Sequence, residues 1–255
     1  MGKVYLVGAG PGAPDLLTIR AARLLATADI VFHDALVHRD TLALATRARL
    51  VDVGKRDGCH STEQRFINRA IVEAARSHAI VVRLKGGDPM IFGRAQEELD
   101  ALDAAGIEVE VVPGVTAAFA AAASLGVSLT RRGVARHVAF VTPRIGKGET
   151  ANDWLDVAVA ADTVVLYMAS RQGREVAAAL IAAGRDANTP VRILENASLP
   201  GERAIHSSLG EIRSDPTPAF AGPAVMLVGE VFRDLAAALS WRIFPPHASN
   251  EALCK

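Results

Sequence analysis

Three glycine-rich turns each follow a strand-like hydrophobic segment, and these turns are the parts of the sequence best suited to bind a ligand. They are Gly8-Ala9-Gly10-Pro11-Gly12-Ala13, Lys85-Gly86-Gly87-Asp88-Pro89 and Val112-Pro113-Gly114-Val115-Thr116-Ala117. Glycine lets a ligand approach the backbone closely, Asp88 can accept hydrogen bonds from hydroxyl groups, and Thr116 can cap a following helix. Because strands of an open α/β sheet end at a common edge, the turns predict the rim of one binding site.

Two of these turns leave alternatives open. The first turn fits the G-x-G-x-x-G/A pattern of dinucleotide-binding proteins, so a nicotinamide-dependent oxidoreductase is one alternative function. Against it, Pro11 and Pro14 remove two N–H donors, and Asp15 as the predicted N-cap would put a carboxylate where a phosphate should sit. A turn without any ligand is the remaining interpretation. In the second turn, Asp88 and Pro89 are alternatively the start of the next helix.

The elements that must position these turns alternate regularly along the chain. Short β-branched segments are separated by longer amphipathic ones, which predicts an α/β protein. The predicted strands are residues 4–7, 30–32, 50–53, 80–84, 109–112, 138–142, 163–168, 190–195 and 224–228, and the predicted helices are residues 17–28, 63–77, 95–105, 116–125 and 174–183. We predict two α/β domains, residues 1–112 and 113–243, with a ligand-binding cleft between them and a tail at 244–255.

Composition excludes several classes of protein. The 255 residues include 28 Lys and Arg against 28 Asp and Glu, so neither nucleic acid nor an anionic membrane is an expected partner. Cys59 and Cys254 are too few for a disulfide framework and are interpreted as reduced thiols of a cytoplasmic protein. The longest apolar segment, residues 115–127, is shorter than the roughly 20 residues of a membrane span. The histidines show no metal-ligand spacing, so no metal is predicted.

A set of segments occurs in an order and spacing that identify a family. They are residues 7–12, 34–37, 53–56, 83–94, 112–117, 166–168, 195–197 and 228–231. Over about residues 3–235 the sequence resembles the tetrapyrrole methylase family. The resemblance implies a methyltransferase fold unrelated to the Rossmann-like one, a homodimer, and S-adenosylmethionine bound between two α/β domains.

The resemblance also implies a reaction. Two methyl groups are transferred to C2 and C7 of uroporphyrinogen III, giving precorrin-2 by way of precorrin-1, with S-adenosylhomocysteine as the other product. The cofactor contacts implied by position are Pro11, Gly86, Gly87, Asp88, Ile91, Thr116, Ala117, Met168 and Ala197. For Met168, a place in the hydrophobic core is the alternative.

Catalytic and substrate-binding residues follow from the same resemblance. Asp34 and Lys55 are assigned acid/base roles, with a helix N-cap as the alternative for Asp34 and a carboxylate clamp as the alternative for Lys55. The substrate carries eight carboxylates, and the arginines expected to bind them are Arg20, Arg56, Arg131 and Arg132.

Some positions depart from the family pattern and leave the acceptor open. Ala95-Gln96 replaces a glycine pair, Arg131 a histidine, Pro143-Arg144 a Gly-His pair and Ala197 a glycine. A methylase acting on a later precorrin is therefore the nearest alternative, and a ligand sensor that has lost the chemistry is another. Whether the product enters sirohaem or cobalamin synthesis stays open.

Overall fold

The computed structural model describes residues 2–54, 64–146, 153–215 and 219–234. The chain divides into two compact units, Met1–Ala120 and Ala121–Lys255. The division lies eight residues beyond the predicted boundary at 112. Each unit contains one five-stranded sheet with helices, so the predicted α/β class is confirmed. None of the helices in the described residues is long and apolar enough to span a membrane.

The sheet of the first unit is entirely parallel, in the order β3-β2-β4-β1-β5. Its strands are β1 Lys3–Gly8, β2 Ile30–His33, β3 Arg49–Asp52, β4 Ile80–Lys85 and β5 Val109–Val112. The helices are α1 Ile19–Thr27, α2 Arg39–Leu42, α3 Gln64–Ser77, α4 Ala95–Ala104 and α5 Ala117–Leu125, the last of which crosses the division between the units. The register pairs Gly8 with Lys85 and Val7 with Val112, so β1, β4 and β5 end side by side.

Both faces of the central strands β1, β2 and β4 are largely buried, because successive strand residues point to opposite sides and both sides are apolar. On one face Val81 packs with Ile71 of α3 and Leu102 of α4. On the other face Val82 packs with Leu25 of α1. The two helical layers hold the strand ends in fixed positions, so the turns that follow the strands start from a rigid base.

The second unit has a mixed sheet in the order β6-β7-β10-β8-β9. Its strands are β6 Val138–Val141, β7 Thr163–Tyr167, β8 Pro190–Glu195, β9 Arg203–Ser208 and β10 Ala224–Gly229, and its further helices are α6 Trp154–Ala160, α7 Gly173–Ala182 and α8 Leu209–Ser214. Strand β10 is antiparallel to both β7 and β8. The core between β7, β8, β10 and helices α6–α8 includes Leu166, Leu180, Ile193, Leu209 and Met226, all completely buried.

The predicted cap at Asp15 is wrong. Asp15 lies in a short 3₁₀ turn, Pro14–Leu16, and α1 begins only at Ile19. The Thr18 hydroxyl is the cap, since its Oγ1 accepts the Ala21 N–H at 3.1 Å. The first glycine turn therefore does not run directly into a helix, as the dinucleotide motif requires.

Candidate functional site

The first and second glycine turns are joined by backbone hydrogen bonds. The Gly10 N–H donates to the Gly87 carbonyl at 3.1 Å, the Gly87 N–H donates to the Gly10 carbonyl at 2.7 Å, and the Ala9 N–H donates to the Lys85 carbonyl at 2.7 Å. Gly10 and Gly87 have φ values of +70° and +68°, a left-handed conformation that glycine adopts without steric cost. The predicted convergence of these two turns is therefore present.

The third turn packs against the other two with no space for side chains. A Cβ on Gly114 would lie 2.3 Å from the Gly87 carbonyl oxygen, and a Cβ on Gly8 would lie 2.6 Å from the Gly114 Cα. By contrast, a Cβ on Gly87 would come no nearer than 3.9 Å to Thr116 and 4.0 Å to the Ala117 nitrogen. Gly8 and Gly114 thus serve close backbone packing, while the Gly87 side that faces Thr116 and Ala117 is less crowded.

The Asp88 carboxylate joins the second turn to the third. Its Oδ1 accepts the Met90 N–H at 2.8 Å and its Oδ2 accepts the Gly114 N–H at 2.9 Å. Helix α4 begins seven residues later, after Arg94, so the alternative in which Asp88 starts the helix is wrong. Each carboxylate oxygen has a further lone pair, and Asp88 is half-buried, which leaves it able to accept from a ligand.

Asp34 lies just past the end of β2 and is tied to the second turn. Its Oδ1 accepts the Leu36 N–H at 3.0 Å and its Oδ2 accepts the Gly86 N–H at 3.3 Å. Helix α2 starts at Arg39 and is capped by His38, so Asp34 is not a helix N-cap. The structure thereby brings the predicted acid/base carboxylate next to the predicted cofactor-binding residues Gly86 and Gly87.

A buried ionic cluster under the second turn was missed by the sequence analysis. Glu98 of α4 accepts from Arg83 Nε at 3.1 Å, from Lys85 Nζ at 3.0 Å to each oxygen, and from Gln64 Nε2 at 3.0 Å. Burial, followed by the neighbouring Arg83 charge, lowers the pKa of Lys85 below its usual value, while Glu98 and Asp34 act in the opposite direction. An arginine and a lysine two residues apart in a buried strand were the readable signal, because both side chains then need an internal partner.

The segment between Pro89 and α4 carries the predicted contact Ile91 and two strained residues. Ile91 is half-buried, whereas Phe92 and Arg94 have φ values of +50° and +55°. Arg94 forms a bidentate ion pair with Glu97, with both N–O distances 2.6 Å. Positive φ at residues other than glycine costs free energy and is concentrated at ligand sites.

The other predicted cofactor contacts in the first unit lie at its glycine turns. Pro11 is half-buried in the first turn, and Thr116 is buried immediately before α5, whose first residue is Ala117. The Thr116 carbonyl accepts the Phe119 N–H at 3.1 Å, so the residue is fixed to the first turn of the helix. Pro11, Gly86, Gly87, Asp88, Thr116 and Ala117 thus occupy the three connected turns.

In the second unit, Met168 directly follows β7 with a φ of +56° and is 43% exposed. The alternative in which it belongs to the hydrophobic core is therefore wrong. Its Sδ lies 4.0 Å from Arg144 Nη1, at one of the positions that depart from the family pattern. An exposed methionine held in left-handed backbone presents a flexible apolar side chain at a strand end.

Ala197 lies in the segment that follows β8 and is buried between two residues of positive φ, Asn196 at +54° and Ser198 at +73°. Glu202 Oε2 holds this segment by accepting the Ser198 N–H at 2.8 Å and the Ser124 hydroxyl at 2.7 Å. The backbone on both sides of Ala197 therefore has the left-handed conformation that is also found at Met168.

Of the predicted substrate-binding arginines, Arg20 and Arg131 are paired with carboxylates. Arg20 Nη1 is 3.0 Å from Glu110 Oε1, and Arg131 Nη1 is 3.7 Å from Asp234 Oδ2. Arg132 is exposed. Lys55 and Arg56 are outside the described residues, as are Cys59, Cys254 and the predicted tail. Among the described residues, no three His, Cys, Asp or Glu side chains form a group that could hold a metal ion.

In the first unit, connected glycine turns lie at the ends of parallel strands, and in the second unit residues of positive φ follow β7 and β8. Such strand ends are where α/β enzymes bind small molecules. Residues 3–213 match the family model of Tetrapyrrole (Corrin/Porphyrin) Methylases. The chain belongs to this family.

Two relatives are similar to this chain over more than nine-tenths of its length. The chain is 46% identical to the uroporphyrinogen-III C-methyltransferase of Pseudomonas aeruginosa, over 92% of this chain and 96% of that protein. It is 44% identical to a siroheme synthase of Psychrobacter over 94% of this chain, and it spans about half the length of that relative, 50%.

Two solved structures of tetrapyrrole methyltransferases have the same fold as this chain. The uroporphyrin-III C-methyl transferase of Thermus thermophilus, complexed with S-adenyl homocysteine, superposes with a TM-score of 0.81 at 42% identity and covers 91% of this chain and 99% of its own. The cobalamin biosynthetic enzyme cobalt precorrin-4 methyltransferase gives a TM-score of 0.77 at 29% identity, over 90% of this chain and 95% of its own. The predicted tetrapyrrole methylase fold is confirmed.

Proposed function

We propose that the chain transfers two methyl groups from S-adenosylmethionine to C2 and C7 of uroporphyrinogen III, giving precorrin-2 by way of precorrin-1. The observation that carries this proposal is the 46% identity over nearly the whole length of the Pseudomonas uroporphyrinogen-III C-methyltransferase. The siroheme synthase relatives and the cobalamin enzyme make sirohaem and cobalamin the two classes of end product.

The cofactor is proposed to contact Pro11, Gly86, Gly87, Asp88, Ile91, Thr116, Ala117, Met168 and Ala197. The main support for a cofactor site here is the second turn. Gly87 has no side chain, and the nearest atom to the position of its missing Cβ is 3.9 Å away, which leaves space for a ligand. Asp88 offers carboxylate lone pairs, whereas Ile91 and Met168 offer apolar surface. This combination suits a ligand with a hydroxylated sugar and a sulfur-containing carbon chain.

When bound, the cofactor supplies an electrophilic methyl group on a positively charged sulfur. The chain's own task is then to align the attacking carbon with that methyl group and to exclude competing water. C2 and C7 already carry side chains, so their methylation leaves a positive charge on the tetrapyrrole. The product must then lose a proton from a ring nitrogen or a neighbouring bridge carbon, and Asp34 is proposed to accept it. Its carboxylate is held by the Leu36 and Gly86 N–H groups and retains lone pairs for a substrate proton.

The substrate carboxylates are proposed to bind the cations Lys55, Arg20, Arg56, Arg131 and Arg132, with Lys55 acting either as an acid/base group or as a carboxylate clamp. For Arg20 this requires an exchange, since its guanidinium is paired with Glu110 in the structure. Such an exposed pair contributes about 1 kcal/mol or less, so an incoming carboxylate can replace it. We also propose that the protein is a homodimer, because it resembles a family whose members are homodimers. A cytoplasmic location is proposed because its two cysteines are interpreted as reduced thiols.

Anaerobic incubation with methyl-labelled S-adenosylmethionine and uroporphyrinogen III tests the reaction. We expect two labelled methyl groups per tetrapyrrole, with NMR locating them on C2 and C7. If S-adenosylhomocysteine binds in calorimetry but no label enters uroporphyrinogen III, the acceptor is wrong, and later precorrins become the substrates to assay. Light scattering at increasing protein concentration checks the dimer independently.

A further inference from the structure

The ionic cluster under the second turn ties the end of β4 to the first turn of α4. Glu98 accepts from Arg83 Nε at 3.1 Å and, with both of its oxygens, from Lys85 Nζ at 3.0 Å. The three side chains are 5% exposed or less. Residues 86–97 lie between Lys85 and Glu98 in the chain, so this ion pair closes the segment at its base.

The enclosed segment combines proposed cofactor contacts with unfavourable backbone conformations. Phe92 and Arg94 have φ values of +50° and +55°, which are costly at residues other than glycine. Such conformations persist only where the surrounding structure holds them. The proposed cofactor contacts in the same segment are Gly86, Gly87, Asp88 and Ile91.

The Lys85 side chain supports the second half of this segment. A Cβ on Gly93 would lie 3.1 Å from Lys85 Cε and 2.5 Å from the Pro89 carbonyl oxygen. The backbone at Gly93 therefore packs closely on the end of the Lys85 side chain. Because the Lys85 ammonium is bonded to Glu98, the position of Glu98 also fixes the surface against which Gly93 packs.

Helix α3 holds the first turn of α4 from another side. Gln64 Nε2 donates to Glu98 Oε1 at 3.0 Å, and Asn68 Nδ2 donates to the Glu97 carbonyl at 2.9 Å. Helix α3 is itself fixed to β4, since Ile71 packs with Val81 in the core. Glu98 is therefore held by a strand and a helix that both belong to the rigid part of the unit.

Fold stability alone gives a weak reason for burying three charges. Removing ions from water is costly, and well-packed apolar residues often replace a buried ionic cluster without loss of stability. Hydrogen bonds to a carboxylate are directional, however, and a fully bonded buried network holds one arrangement of its members. A fixed geometry of the segment is thus the stronger reason for this cluster.

We propose that Glu98 is a positioning residue which, through its ion pairs with Arg83 and Lys85, holds residues 86–94 in the conformation that binds the cofactor. The inference rests on the proposed function, because Gly86, Gly87, Asp88 and Ile91 contact the cofactor only there. Glu98 itself touches neither cofactor nor substrate in this scheme. It acts through the Lys85 side chain and the backbone that packs on it.

Calorimetry with S-adenosylhomocysteine tests this role in Glu98→Gln and in the triple variant Arg83→Met/Lys85→Met/Glu98→Leu. Glu98→Gln leaves two buried cations without their carboxylate and should lower both Tm and affinity. The triple variant removes all three charges, so Tm should stay within about 5 °C of the natural value while affinity falls about 10-fold or more. Natural affinity in the triple variant would overturn the inference, because the cluster would then serve the fold alone.

Leu102→Ala is the matched control for Glu98→Gln. Leu102 lies one turn further along α4 and is buried in the core. Its truncation leaves a cavity and should lower Tm by about 5 °C or more, whereas the contacts of Glu98 stay intact and affinity should change by less than about twofold. If Leu102→Ala weakens binding as much as Glu98→Gln, affinity follows fold stability and the inference is overturned.

Amide hydrogen exchange without any cofactor gives an independent readout. The Met90 N–H donates to Asp88 Oδ1 and the Ile91 N–H to the Asp88 carbonyl. Both amides should exchange about 10-fold faster or more in the triple variant, while exchange at Val82 in the middle of β4 stays unchanged. Unchanged exchange at Met90 and Ile91 contradicts the inference. If the natural protein does not bind S-adenosylhomocysteine, the proposed function fails, and the exchange rates still decide whether Glu98 holds the segment.

Discussion

Asp88 Oδ2 accepts the Gly114 N–H at 2.9 Å, so a single carboxylate connects the turn after β4 to the turn after β5. Its other oxygen accepts the Met90 N–H within its own segment. The residue proposed to contact the cofactor therefore also fixes the shape of the site. Its two roles can be separated because an amide substitution keeps an acceptor but loses the charge.

Asp88→Asn should weaken S-adenosylhomocysteine binding about 10-fold, because the amide can keep one backbone hydrogen bond but cannot supply two acceptor oxygens. Asp88→Ala should weaken it further and lower Tm by a few degrees. Isothermal calorimetry and thermal unfolding measure the two effects. Asp103→Asn, at an exposed position on α4, is the control and should change neither. Unchanged affinity in Asp88→Ala would remove this residue from the cofactor site.

Gly87→Ala should impair binding more than it impairs folding. Left-handed backbone at alanine costs about 1–2 kcal/mol, and the new methyl group would point toward Thr116 and Ala117. Gly106→Ala is a matched control, since Gly106 has a φ of +66° and no atom within 4 Å of its missing Cβ. We expect similar Tm losses for both variants, and a loss of S-adenosylhomocysteine affinity of 10-fold or more only for Gly87→Ala. Equal affinities would place the ligand elsewhere.

The sequence predicted the strands of the first unit within a residue or two, because each is a β-branched segment bounded by charged residues, glycine or proline. It missed β9, whose residues Arg203–Ser208 are largely polar and form an edge strand. It also missed the six-residue helix α8, although Ser208 and Glu211 form a capping box, and the S-x-x-E pattern predicts such a helix start. Short polar elements carry too little hydrophobic periodicity to be recognised without such local signals.

The convergence of the three turns could be predicted from the sequence, because the strands of a parallel sheet end at the same edge. The side-chain contacts in the site could not be predicted in this way. Asp34 was assigned either catalysis or a helix cap, and its bond to Gly86 depends on the pairing of β2 with β4. The buried set of Arg83, Lys85 and Glu98 joins a strand to a helix thirteen or more residues away, and spacing along the chain does not reveal such a contact.

Asp162 should contribute to stability in a pH-dependent way. The backbone N–H groups of Arg136 and His137 hold the pKa of its carboxyl below the ordinary 3.8, with His137 Nδ1 3.2 Å away. A depressed pKa stabilises the fold above the pKa of the unfolded chain, and this contribution is lost as pH falls from about 3.8 through the folded-state value. Asp162→Asn should therefore lower Tm at pH 6, and its difference from the natural protein should shrink below pH 3.8. A constant difference across that range contradicts the assignment.

Met168 offers a test of whether backbone strain accompanies ligand binding. Met168→Gly and Met168→Ala both remove the apolar side chain, but only glycine relieves the left-handed φ of +56°. We expect both variants to lose S-adenosylhomocysteine affinity by about 5- to 10-fold, because the exposed thioether side chain is proposed to contact the cofactor. Met168→Gly should nevertheless have the higher Tm of the two, by about 2–4 °C for a strain of roughly 1 kcal/mol. Calorimetry and thermal unfolding on the same preparations separate these effects. Affinity that is unchanged in both variants would show that Met168 is strained for a reason other than the cofactor.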